Sequence, residues 1–277
     1  MTRLLAPFVL VVCLAAASDV LSVVKPNRSG ALGGMLGVPA GNRFSATNVT
    51  VQALVAAAHG SGLPLAEDRI LGMPAWATRE RFDVEARQEG LELPDEPGDD
   101  DAVFAAFGIV RTMLADRFAL RAHEEFREAP IYVLRRLATA TRLQPTSVDC
   151  EAILRAGPFG EVPGPDGRPL PPCAVRMRAG RIIGTGGTMA EFARYLARVR
   201  GVEREVIDGT GLDGRFDFSL EWTPPQAPAA GNDGVAAAQA GPSIFTALQE
   251  QVGLKLDASR GRIRVLVIDR LERPTAN

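Results

Sequence analysis

Histidine, lysine, cysteine and the large aromatics are all scarce in this chain of 277 residues, and each shortage closes off a chemistry. There are two histidines, His59 and His123, and neither has a second ligand at metal spacing. A zinc protease needs His-Glu-x-x-His on one helix face, and that motif is missing. Both histidines therefore read as structural. No Gly-x-Ser-x-Gly elbow occurs, and Ser243, in a Gly-Pro-Ser helix start, reads as a cap. The glycines Gly30, Gly33, Gly34 and Gly37 lack the Lys-Ser/Thr that completes a phosphate cradle, so they read as a loop. With 31 basic against 33 acidic residues the net charge is −2, and there is no basic field for nucleic acid. Only two of the basic residues are lysines, Lys25 and Lys255. Aromatics make up 6%, which argues against an aromatic-lined ligand pocket. No composition signal points to a cofactor.

What is present begins with an address. Arg3 is followed by an uncharged, mostly apolar run, Leu4 to Ala17, and by the small residues Ala15, Ala16, Ala17 and Ser18. That order is the signature of a secretory signal peptide, expected over residues 1–17. The run is shorter than the ~20 residues a spanning helix needs, so membrane contact is expected only through an uncleaved leader. The expected location is periplasmic or extracellular. Removing the leader removes Cys13 and leaves Cys150 and Cys173. An even pair in an exported protein favours a disulfide over a metal pair or two inert thiols.

The chain also repeats itself. Arg81-Phe82-Asp83-Val84 returns as Arg215-Phe216-Asp217-Phe218, and Ile131-Tyr132-Val133-Leu134 as Val265-Leu266-Val267-Ile268, both at an offset of 134. Arg43-Phe44-Ser45-Ala46-Thr47 with Thr50 faces Arg181-Ile182-Ile183-Gly184-Thr185 with Thr188 at 138. These collinear blocks predict a tandem duplication. The first repeat covers 19–138, a Gly/Pro-rich linker with the disulfide covers 139–180, and the second repeat covers 181–277. Each copy reads as β-α-β-α-β-β, with Thr50 or Thr188 capping the first helix and alternating strands at Arg81 and Arg215. The fold class is α+β, helices packed on small sheets.

Carboxylates are the remaining chemistry. Asp83 with Glu85, and Asp217 with Glu221, are spaced for general acid and base work. However, Arg81 and Arg215 precede each Asp on the same strand face, which suits a surface ion pair contributing ~0–1 kcal/mol. His123 stands beside Glu124 and Glu125. Asp83, Asp217 and His123 are thus the functional candidates, without an assembled catalytic, cofactor or metal set. The acidic run Leu91 to Asp101 lacks the alternating ligands and closing Glu of a calcium loop and reads as a solvated loop.

Several segments carry a resemblance. They are Ser22-Val23-Val24-Lys25-Pro26-Asn27, Arg43 to Thr50, Leu114-Ala115-Asp116-Arg117-Phe118, Asp208 to Phe218, Phe245 to Leu256 and Val267 to Pro274. Together they resemble a family of uncharacterised exported proteins, a domain of unknown function found as large paralogous sets in soil bacteria. The resemblance brings no assigned activity. It implies a link to membrane metallopeptidases of the β-lactam-sensor type, and so a sensory or partner-binding role. Val252-Gly253-Leu254 before the last strands is also similar to the short N-terminal module of secretins and TonB-dependent receptors. The sequence therefore leads to an exported envelope protein that contacts another protein or peptide, for instance by strand addition at a sheet edge. The alternatives are a hydrolase with a carboxylate-based site at the seam between repeats and a binder of a small ligand or cell-wall fragment.

Overall fold

In the computed structural model the described residues are 20–31, 33–37, 42–60, 63–89, 100–138, 141–156, 161–165, 167–225 and 241–274. The expected leader, the acids of Leu91 to Asp99 and most of the Ala/Gly/Pro-rich stretch after Pro225 lie outside them. The chain divides into two compact units, Met1–His123 with Ile268–Asn277, and Glu124–Val267. This division differs from boundaries drawn at 138 and 181. Both units combine helices with antiparallel sheet, the α+β class expected.

Unit 1 contains β1 (Val20–Pro26), β2 (Met35–Leu36), β3 (Arg43–Thr50), α1 (Val51–Ala58), β4 (Ile70–Leu71), β5 (Arg81–Gln88) and α2 (Asp100–Phe118). It also holds the start of β6 (Arg121–Arg136). Its sheet has the order β1-β5-β3-β2, all antiparallel. Strand alternation sends Phe44, Ala46, Phe82, Val84, Ala86 and Val24 to one buried face. α1 and α2 cover it, and Phe82 meets Phe118 edge-on at 5.6 Å. Thr50 caps α1 by accepting from the Ala53 amide, as its position predicts.

Unit 2 follows with β7 (Gln144–Pro145), α3 (Cys150–Ala156), β8 (Val162–Pro163), β9 (Pro169–Leu170), β10 (Ala174–Arg178) and β11 (Arg181–Gly187). Then come α4 (Met189–Leu196), β12 (Glu205–Asp208), β13 (Phe216–Glu221), α5 (Ile244–Ala247) and β14 (Leu254–Arg270). One sheet runs β10-β11-β13-β7, and elsewhere in the unit β12 pairs parallel to β6, with β14 on the other side of β6. Phe192 from α4 packs on Phe218 at 4.5 Å in the core. Thr188 forms a full capping box with Glu191, two reciprocal bonds that satisfy orphan amides at the start of α4.

Two expectations need correction. Each copy was expected to close with two strands, but β6 is one strand of 16 residues and β14 one of 17. The stretches His123 to Glu128 and Asp257 to Arg260, rich in polar residues, fall inside these strands, and His123 lies on strand as expected. They are strand exposed on both faces. The unit boundary falls within both strands, after His123 and after Val267. Moreover, the stretch 139–180 is not a bare linker, since it carries β7, α3, the β8–β9 hairpin and β10.

Candidate functional site

The Arg-Phe-Asp motifs sit at backbone irregularities. In unit 1 the β3–β5 ladder is interrupted between Ala46 and Val49, and Asn48 there adopts a left-handed φ of 56°. The Asp83 carboxylate accepts from the Asn48 amide at 2.9 Å, while the Arg81 guanidinium donates to the Asn48 carbonyl at 2.7 Å. In unit 2 the β11–β13 ladder shifts between Gly184 and Gly187, and Gly186 has φ 69°. Asp217 accepts from the Gly186 amide at 2.7 Å, and Arg215 donates to its carbonyl at 2.9 Å. The surface ion-pair expectation is thereby corrected. Arg and Asp reach past each other to grip the two ends of one bulged residue, whose backbone the ladder leaves unpaired.

Each bulge is then covered differently. The buried Asn48 amide group donates to the carbonyls of Ala31 at 2.9 Å and Gly33 at 2.6 Å. Asn27 adds a second donor to Asp83 at 2.7 Å. The loop backbone comes so close that a Cβ on Gly34 would lie 2.2 Å from the Asn48 carbonyl oxygen. In unit 2 the Cys150–Cys173 disulfide takes that place, with Cα atoms 5.5 Å apart. A Cβ on Gly186 would stand 2.5 Å from the Cys150 sulfur, so only glycine fits beneath the bridge.

His123, the third candidate, lies on exposed strand. Its Nδ1 is 2.9 Å from Asp269 Oδ2, both side chains about half exposed. Among the described residues no group of three His, Cys, Asp or Glu side chains is placed to hold a metal ion. None of their helices is long and apolar enough to cross a membrane. At the C-terminal end of unit 1, Arg273 donates to Glu80 at 2.7 Å and lies 5.2 Å over the Trp76 ring. That hydrogen bond from Arg273 holds the Glu80 carboxyl below the usual carboxylate range.

The surface that sequence reasoning missed is the outer face of the unit 1 sheet. Register places Leu21, Arg87 and Arg43 on one rung and Val23, Glu85 and Ser45 on the next. Met35, opposite Thr47, extends the same face. Leu21 is 63% exposed, Val23 41% and Met35 71%, although large apolar side chains of a sheet are ordinarily turned inward. A cavity of about 700 Å³ opens along these two rungs. The signal was present in β1, whose Val20 and Val24 face the core while Leu21 and Val23 face outward. An edge strand apolar on both faces needs something on each. The outer edge of β1 is less open than its face. The Ser22 carbonyl accepts from Arg117 at 3.3 Å, and Pro26 has no amide to donate.

Two α+β units, each with a clamped bulge and a four-stranded antiparallel sheet, define the class of protein this chain represents. The chain belongs to the family described as Protein of unknown function (DUF3738), which it matches over residues 52–271. No curated protein and no solved structure matches it.

Proposed function

We propose that this chain is an exported, non-catalytic interaction module of the cell envelope, and that it makes contact through the outer face of the unit 1 sheet. The observation that carries the reading is the exposure of Leu21, Val23 and Met35 on one sheet face, with a cavity along Leu21 and Val23. Apolar surface gathered in this way is costly in water and marks a contact site. The carboxylates best spaced for chemistry support it from the other side, because Asp83 and Asp217 accept backbone amides at the bulges. A disulfide is compatible with an oxidising compartment and so with export through the leader. The family likeness to sensor-linked exported proteins of soil bacteria favours a sensory partner.

The two bulge clamps also support a tandem duplication. Arg81, Asp83 and Asn48 in unit 1 correspond to Arg215, Asp217 and Gly186 in unit 2 at the sequence offsets of 134 and 138. The looser likeness of the second copy to the secretin and TonB module belongs with this reading, as small α+β units share such patterns.

The test is photo-crosslinking from residues 21 and 23 of the full chain in envelope extract, followed by mass spectrometry. One stoichiometric partner, lost when Met35→Asp charges the same face away from the crosslinking positions, is the expected result. Turnover of peptide, ester, glycoside or phosphate substrates that disappears in Asp83→Asn or Asp217→Asn would replace this reading with carboxylate hydrolysis.

A further inference from the structure

The outer face carries a charge arrangement that apolar contact alone does not explain. Arg43 and Arg87 are direct cross-strand partners on β3 and β5. In an antiparallel pair such side chains start ~5 Å apart, and like charges placed so are destabilising. Both are exposed, and among the described residues neither has a carboxylate within ion-pair distance. On the same rung stands Leu21, and one rung away stand Val23, Ser45 and Glu85. Guanidiniums carried by two facing residues can both donate N–H groups to one carboxylate, and Leu21 and Val23 adjoin them.

We propose that this face selects an extended peptide segment of a partner protein in which acidic and apolar side chains take turns at every second residue, so that both kinds point to the sheet. The carboxylate bridges Arg43 and Arg87, and the apolar neighbours lie on Leu21 and Val23. The inference rests on the outer face being the contact surface and adds the chemistry of the partner. An anionic membrane fits less well. The site is concave, it includes Glu85, and the chain as a whole has net charge −2 rather than a polybasic patch.

The experiment uses the full chain and fluorescein-labelled, end-blocked heptapeptides, Asp-Ser-Leu-Ser-Asp-Ser-Leu and its counterpart with Asn for each Asp, read by fluorescence anisotropy. The acidic peptide is expected to bind at least tenfold more tightly than the Asn peptide, and its affinity is expected to fall as salt rises. Arg43→Gln with Arg87→Gln is expected to abolish the difference. The Asn peptide and the salt titration keep the test valid if that variant does not fold. Equal affinity for the two peptides, binding undiminished in a folded double variant, or no binding of either would overturn the proposal. Arginine-dependent sedimentation with phosphatidylglycerol vesicles, in place of peptide binding, would assign the pair to lipid. A partner still crosslinked through residues 21 and 23 in the double variant would leave the contact face standing while this inference falls.

Discussion

Replacing Asp83 with alanine tests the central structural claim, that the acid is a backbone clamp. The carboxylate accepts two hydrogen bonds, from the Asn48 amide at 2.9 Å and from Asn27 at 2.7 Å. Bonds to a charged acceptor contribute roughly 1.5–3 kcal/mol each, and an orphaned buried amide costs a further ~1–3 kcal/mol. Discounting for partial burial and for water entering the gap, Asp83→Ala is expected to destabilise by about 3 kcal/mol. Asp83→Asn keeps an acceptor oxygen and loses the charge, so about half that loss is expected. Asp269→Ala, which breaks only the exposed pair with His123, should cost no more than ~1 kcal/mol. Denaturant titration by circular dichroism gives the ranking, and hydrogen exchange over residues 44–50 locates it. Unfolding midpoints that do not move, with Asn48 still protected in Asp83→Ala, would refute the clamp.

Other outcomes follow from the same geometry. Arg43→Gln alone relieves a like-charge pair, so in the absence of ligand it should raise stability by about 0.2–1 kcal/mol in the same titration. Replacing Cys150 and Cys173 by serine should cost about 3 kcal/mol on the chain-entropy argument, and intact non-reduced protein should weigh two hydrogens less than its reduced form. Because Arg273 depresses the Glu80 pKa, their contribution is complete above the unfolded carboxylate value and is lost as pH falls through the folded one. Trp76 fluorescence, sensitive to the guanidinium over its ring, should therefore change on acidification below about pH 4.3, and not in Glu80→Gln.

Much of the fold was legible where local rules and tertiary demands agree. The alternation of Arg81 to Gln88 marks a strand with one buried face, and Thr50 and Thr188 announce helix starts through the bonds they make. The bulges were not legible. The left-handed turn at Asn48 exists because Asp83 and Arg81, more than thirty residues away, hold its amide and carbonyl. No spacing rule within β3 encodes that. The ion-pair expectation failed for the same reason, since residues at i and i+2 share a face but need not choose each other as partners. Asp257 to Arg260 is polar on both sides, so only pairing with a neighbouring strand distinguishes it from a loop. The exposed apolar outer face escaped notice because each of its rungs draws on three strands that are remote in sequence.

The division of the chain has a consequence for the order in which it is made. Unit 1 begins with the N-terminal residues and is completed by Ile268–Asn277, while unit 2 is contiguous. During synthesis, unit 2 has all its residues before unit 1 does. The unit that emerges first is thus the last to be completed, and Ile131, Leu266 and their neighbours can pack before it is. A stop codon even ten residues early removes Arg273 and the Ile268 to Arg270 end of β14, so its damage falls on the opposite terminus of the sequence. Fragments ending near residue 123 would carry the whole outer face yet lack the segment that seals their own fold.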